Sequence, residues 1–331
     1  MKKDLRIVSL LPSATEIVCA LGLEENLVGI THECDYPKSV AELPRLTASR
    51  ISHETMTSRE IDHAVRSQLD GHGSIYDLNA RLLAELKPDL ILTQELCEVC
   101  AVSYKTVQKA AKMYVAEAKV VSLEPNTIED IFENIKTVGQ LCGGPEKAEA
   151  VVADLQSRLD RIRSRTGRLE KRPKVFMLEW LEPPFAPGHW TPEQVAIAGG
   201  DCLLGIAGEK SVPTTYEEIE RARPDVLVLV PCGYYTGDIL RQIPNTVFPD
   251  GFRDVPAVKN GDVWALDATS YFSRPGPRVV CGAEILAKIV HPEVFGAPSE
   301  IEAVRVSGNL LKFDTGPAAT GGGARTANNP Q

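Results

Sequence analysis

The sequence predicts an α/β protein: two α/β lobes with mainly parallel central sheets, joined by one long backbone helix, with a cleft left between the lobes. Three observations predict it. The stretch 145–169 contains no helix breaker after Pro145, and proline is tolerated at a helix's first position. Within it Ala148, Val152, Leu155, Leu159, Ile162 and Leu169 recur at helical steps, giving one apolar stripe. At 1.5 Å per residue such a helix is about 37 Å long, enough to cross a domain. On both sides of it, short apolar runs alternate with amphipathic segments, the pattern of parallel strands with helices on their faces. The two sides also share a phrase: Lys87-Pro88-Asp89 precedes the apolar run 90–93, and Arg223-Pro224-Asp225 precedes 226–230. The expected organisation is a lobe over 1–143, a backbone helix over 144–170, a second lobe over 171–295 and a tail over 296–331. Disorder is expected from about residue 315, where Gly, Ala, Thr and Asn dominate.

In order, residues 5–11 read as a strand, and Pro12-Ser13 opens a helix with Ser13 as N-cap and Glu16 as its capping-box partner. A strand over 27–31 leads into His32-Glu33-Cys34-Asp35-Tyr36-Pro37. Polar residues 44–75 hold a short helix near 58–69; a helix over 77–86 follows, then a strand over 90–93. Gln94-Glu95-Leu96-Cys97-Glu98-Val99-Cys100 comes next, then a helix (104–116), a strand (119–123) and a helix (127–141). After the long helix the order is strand 174–180, a loop running to Trp190, helix 192–199, helix 216–222, strand 226–230, strand 262–266 and helix 278–290. His53, His63, His72 and His291 read as surface residues.

With 331 residues the length suits two domains. A net charge of −9 argues against nucleic-acid and anionic-membrane binding. No run is long enough to span a bilayer. Asp4, Arg6, Pro12 and Glu16 interrupt the first apolar stretch, so it reads as strand and helix, and the chain is expected to be cytoplasmic. A periplasmic or extracellular site is the alternative if a signal has been removed. Eight cysteines then read as reduced thiols, with Cys19, Cys142 and Cys281 in apolar helical contexts.

Specific motifs sharpen this. Ser9-Leu10-Leu11-Pro12-Ser13-Ala14-Thr15-Glu16, Asp35-Tyr36-Pro37, Leu86-Lys87-Pro88-Asp89-Leu90, Pro183-Pro184-Phe185, Gly199-Gly200 and Arg274-Pro275-Gly276-Pro277-Arg278 lie in one order along the chain. With them the chain resembles the helical-backbone (class III) ABC-transporter substrate-binding proteins of the cobalamin and iron-siderophore superfamily, nearest the cobalamin-binding branch. The resemblance covers about residues 5–290. It implies a non-catalytic protein holding a cobalamin, another corrinoid or a related metal chelate between its lobes. It also implies a glutamate on each lobe, seven residues before the proline of the Lys-Pro-Asp element, that meets transporter arginines; here Glu217 matches and Arg81 reverses the charge. Docking to an ABC permease in the usual way is therefore doubtful.

The resemblance implies which loop positions line the cleft, at the strand ends where open α/β sheets bind ligands. They are Glu33, Cys34, Glu95 and Cys97 on the first lobe, and Glu179, Trp180, His189, Trp190, Cys232, Tyr234, Tyr235, Tyr271 and Phe272 on the second. Carboxylates and thiols stand where cobalamin-binding relatives carry aromatics, which makes the cleft acidic. The residue types also suit zinc: His32, Cys34, Cys97, Cys100 and Cys232 are the candidate metal ligands. A zinc site is thus the alternative function. An enzyme with a cleft cysteine as nucleophile is the other, although no catalytic triad order, phosphate loop or dinucleotide fingerprint supports it.

Overall fold

The structure is a computed structural model, described over residues 4–49, 51, 55–70, 76–94 and 104–314. In the first lobe the elements run β1 (Ile7–Ser9), α1 (Pro12–Ala20), β2 (Leu27–Ile30), β3 (Thr47–Ser49), α2 (Ser58–Asp70), β4 (Tyr76–Leu78), α3 (Ala80–Leu86), β5 (Leu90–Thr93), α4 (Tyr104–Tyr114), β6 (Lys119–Ser122) and α5 (Ile128–Leu141). Helix α6 (Pro145–Thr166) connects the lobes. The second lobe holds β7 (Lys174–Leu178), β8 (Phe185–Ala186), α7 (Thr191–Ile197), β9 (Asp201–Cys202), β10 (Val212–Pro213), α8 (Tyr216–Ala222), β11 (Val226–Leu229), α9 (Thr236–Gln242), β12 (Val247–Phe248), α10 (Pro256–Lys259), β13 (Val263–Ala265), α11 (Ala268–Tyr271), α12 (Val279–Val290) and α13 (Pro292–Phe295). The chain then adds β14 (Val304–Arg305) antiparallel to β13, and β15 (Lys312–Phe313) beside β12.

The first sheet has the order β2-β1-β5-β6 and is parallel throughout. Its central strands are apolar on both faces because helices cover both, so Ile7, Val8, Ile91 and Leu92 are all fully buried. The second sheet, β14-β13-β11-β7-β9, repeats that arrangement with one antiparallel edge. The repeated Pro-Asp phrase has a shared cause. Asp89 accepts from the Arg6 amide (2.8 Å) just before β1, and Asp225 accepts from the Lys174 amide (2.9 Å) at the first residue of β7. Each carboxylate fixes the register in which one strand enters beside its neighbour.

Helix α6 buries Ala148, Val152, Leu155, Leu159 and Ile162 of the predicted stripe, but it ends at Thr166 with Gly167 at its C-cap, so Leu169 lies beyond the helix and is only half-buried. This stripe belongs to one apolar core that includes α1 and α5 of the first lobe and α7 and α12 of the second. The lobes therefore share packing along the helix, in addition to the covalent connection.

Several local expectations are corrected. Helix α1 starts at Pro12 behind Leu11 with no side-chain cap, so Ser13 is no N-cap. Glu16 turns away from the helix terminus to pair with Arg278. The predicted helix over 77–86 is shortened because residues 76–78 pair with β3 as an antiparallel ribbon; Asn79 then caps α3 by accepting from the Leu82 amide (3.0 Å). His291 is buried, its Nε2 against the Gly199 carbonyl at 3.1 Å, because the tight turn at Gly199 leaves room for the ring.

Candidate ligand-binding cleft

Loops that follow the parallel strands of the two lobes meet one another. Asp35, after β2, accepts from Arg274 Nη1 (2.5 Å), which lies beyond β13, and from the hydroxyl of Tyr235, beyond β11. Arg274 Nη2 also donates to the Glu33 carbonyl at 2.8 Å. One turn further on, Arg278 forms a two-pronged pair with Glu16 (2.9 and 2.6 Å), and its guanidinium lies 4.2 Å from the Tyr36 ring centroid. Gly276 sits between these arginines beside Ser13 and Glu16. These contacts mark the strand-end mouth as the seam between the lobes.

The electrostatics follow from burial opposed by arginine. Burial alone would raise Asp35, but Arg274 and Tyr235 overcome it and hold the carboxyl below its ordinary range. At Glu33, burial wins over Arg274 and over a hydrogen bond from Tyr76 (3.1 Å), so its carboxyl is raised. Of the carboxylates at the expected cleft positions, Glu33 and Glu179 are raised by burial and Glu95 lies outside the described residues; nearby, Glu16 and Asp35 face two arginines, and Glu182 pairs with Arg59 at 2.8 Å.

The candidates divide into three groups. Tyr235 is 40% exposed at the seam, Cys232 is exposed after β11, and Trp180 is half-buried after β7, edge-to-face with Tyr234 at 5.5 Å between ring centroids. Glu179 accepts from Ser211 Oγ at 2.5 Å, and burial pushes its carboxyl up to about 7. His189, at a backbone φ of 50°, stacks on Trp190; burial and then Lys210 lower its pKa, favouring the neutral ring. These five are consistent with places in or beside the cleft.

A second group is corrected to core. Tyr234 is fully buried with Phe176 and Leu178; Trp190 donates its indole N–H to the Phe272 carbonyl (2.8 Å), and both rings pack among α7 and α12. Tyr234 and Tyr235 lie in the turn between β11 and α9, where one ring enters the core and its neighbour stays at the surface. Tyr271 also leaves the cleft, lining a groove with Arg158, Cys281 and Phe295 on the α6–α12 side. Cys34 is 1% exposed, 3.1 Å from the Thr15 hydroxyl, and burial pushes its thiol up to about 11. The His32 Nδ1 is engaged by Thr47 Oγ1 at 2.7 Å, and burial followed by Arg45 lowers its pKa. Among the described residues no group of three or more His, Cys, Asp and Glu is arranged to hold a metal; two of the five candidate ligands, Cys97 and Cys100, lie outside those residues. The third group, Glu95, Cys97 and Cys100, lies outside the described residues.

Sequence reasoning did not place Glu16, Asp35, Arg274 and Arg278 in the site, although all four fall within the quoted motifs. Their signal was charge inside Pro- and Gly-rich loops, where solvated charge needs no such rigid backbone.

Two α/β lobes on a backbone helix, meeting at their strand ends, define a class III substrate-binding protein. The chain belongs to the periplasmic binding protein family, which it matches over residues 7–269. It is 28% identical over 283 residues to a vitamin B12-binding protein of Vibrio cholerae, covering 84% of this chain and 86% of that one. It is 25% identical over 305 residues to an ABC transporter substrate-binding lipoprotein of Bacillus subtilis, covering 89% and 82%. A periplasmic solute-binding protein of Staphylococcus epidermidis superposes with a TM-score of 0.65 at 26% identity, over 88% of this chain and all (100%) of that one. A periplasmic heme-binding protein of Vibrio cholerae reaches the same TM-score of 0.65 at 18% identity over 87% and 100%, a likeness of fold. These relatives are substrate-binding proteins, in accord with a binding role and no catalysis.

Proposed function

We propose that the chain holds a corrinoid, cobalamin or a near relative, between its lobes. The observation that carries the reading is the pair Trp180 and Tyr235: aromatic residues in the loops after β7 and β11, the first half-buried and the second 40% exposed at the seam. Such rings pack on a flat macrocycle. Neutralised carboxylates beside them suit a ligand rich in amides rather than a strongly charged one, and the 28% identity to a vitamin B12-binding protein supports the same class. Titration calorimetry with cyanocobalamin tests it. Binding that Trp180→Ala weakens about tenfold or more supports the reading, and hemin taken up in place of cyanocobalamin would overturn it.

The reading includes two further parts. The Arg81 side chain is 91% exposed and pairs only along its own helix with Glu85 (3.1 Å), while Glu217 on the other lobe is exposed. A transporter face built for two carboxylates would meet a cation on the first lobe, so docking of the usual kind is weakened. Arg81→Glu should then gain affinity for a cobalamin permease in detergent; unchanged binding would sink the idea. The six described cysteines are all free, which supports a reducing, cytoplasmic compartment. Cell fractionation that recovers the chain in the periplasm would contradict that part.

A further inference from the structure

Helix α2 belongs to the first lobe by chain and to the second by packing. The ribbon β3–β4 anchors the excursion that carries it. Ile61 is nevertheless only 4% exposed and sits in the apolar core of the second lobe, with Leu178, Tyr234 and Ile239. Met56 and Val65 pack against that same core. Gln242, at the end of α9, donates its side-chain amide to the Met56 carbonyl (3.0 Å), and Arg59 reaches Glu182 beyond β7 at 2.8 Å. So α2 bridges the lobes beside the loop that follows Trp180.

The two bridges across the seam differ greatly in strength. At the Arg274–Arg278 bridge, Glu16 and Arg274 are almost wholly buried, with side-chain exposures of 2% and 8%, and the pairs there stand on the apolar core that both lobes share with α6. Breaking that bridge uncovers buried charge. At the α2 bridge, the ion pair involves an Arg59 side chain that is 77% exposed, so solvent and salt screen it. What remains is one buried isoleucine with its half-buried neighbours, and one hydrogen bond. The lobes would have to part against the stronger bridge, whereas α2 leaves by giving up only the weaker one.

We propose that α2 is the gate of the cleft: it lifts from the second lobe while the two lobes stay joined, and ligand exchanges past it. The gate's role in ligand exchange rests on the binding function proposed above, but its motion is measurable in the ligand-free chain.

The experiment places a thiol at the gate with Ile61→Cys and follows iodoacetamide labelling by peptide mass spectrometry in the full-length protein. Native Cys34 and Cys142, 1% and 0% exposed in the core shared by the lobes, are internal references for wider opening. The expected result is labelling of the introduced thiol on the order of 100-fold faster than either reference. Adding Gln242→Ala should speed it about tenfold further, with Cys34 and Cys142 unchanged. Labelling no faster than the references, or a Gln242→Ala change that speeds all three thiols together, overturns the gate. Should Ile61→Cys fail to fold, native-state hydrogen exchange of the wild-type chain reads the same motion: amides of α2 exchanging no faster than those of α1 and α5 would overturn the gate. Selective labelling supports the gate whether or not cyanocobalamin binds, so failure of the ligand assignment and failure of the gate are told apart.

Discussion

Asp35 of the first lobe is held at once by Arg274 (2.5 Å) and by the hydroxyl of Tyr235, both of the second lobe. One carboxylate thus joins two strand-end loops of the opposite sheet. Its depressed pKa sets a sign: Asp35 contributes stability above its unfolded value of 3.8, and that contribution is lost as pH falls through the lower folded value. Asp35→Asn keeps the shape but removes the charge that faces Arg274. We expect a loss of about 1–3 kcal/mol at pH 7 by urea denaturation. Tyr235→Phe should lose only about 0.5–1.5 kcal/mol. The double variant should lose less than the simple sum, because both changes act on the one Tyr235–Asp35 hydrogen bond; a loss equal to the sum would mean that the two residues do not interact.

Glu179 titrates with the opposite sign. Its folded pKa of about 7 lies above the ordinary 4.5, so the folded state binds the proton more tightly than the unfolded chain does. Its stabilising contribution is complete below pH 4.5 and is lost as pH rises through about 7. His32 and His189, both lowered by burial first, pull the wild-type profile the other way below pH 6.5. The diagnostic quantity is therefore the difference between wild type and Glu179→Gln. Denaturation midpoints between pH 5 and 8 should show the variant gaining on wild type as pH rises, by at most about 1.4 kcal/mol per unit. A flat difference would mean that the carboxyl is not buried as described.

Thiol reactivity separates the cleft cysteines from the core ones. Cys232 is exposed, whereas Cys34 and Cys142 are buried. Ellman's reagent under native conditions should therefore modify Cys232 first, and Cys34 and Cys142 only on unfolding. Cys34 reacting as fast as Cys232 would return it to the cleft surface.

Most of the fold was legible because burial on both faces of a parallel sheet leaves continuous apolar runs, and a backbone helix leaves a stripe. The site was less legible, and Tyr234 and Tyr235 show why. They are adjacent, chemically equivalent and at the same strand end, yet one is fully buried and the other 40% exposed. Periodicity sets side-chain direction within a strand but not in the turn after it. Glu16 and Arg278 show the other limit: their pairing spans 262 residues and exists only once the lobes are assembled. The antiparallel ribbon at β3 and β4 was missed because three-residue strands in a polar stretch carry too few apolar positions to show a period.

The helix that organises the chain also makes the most stringent packing prediction. Gly139 on α5 lies so close to α6 that an added Cβ would stand 2.4 Å from the Ala148 Cβ, with the Gly144 carbonyl at 3.2 Å. Neither neighbour is the far end of a flexible side chain, so relief requires the helices to move apart. Gly139→Ala gains helix propensity, worth about 1 kcal/mol in an open helix, but here crowding should win. We expect a net loss of roughly 1–3 kcal/mol, as overpacked cores show. Gly308 provides the contrast: a Cβ added there would meet nothing within 4 Å, and its backbone lies outside the left-handed region. Gly308→Ala should be neutral or slightly stabilising, by up to about 1 kcal/mol, through a less flexible unfolded chain. If Gly139→Ala proved as stable as wild type in the same urea titration, the α5–α6 contact would be looser than the structure places it, and the shared core could not hold the lobes as closely as the seam requires.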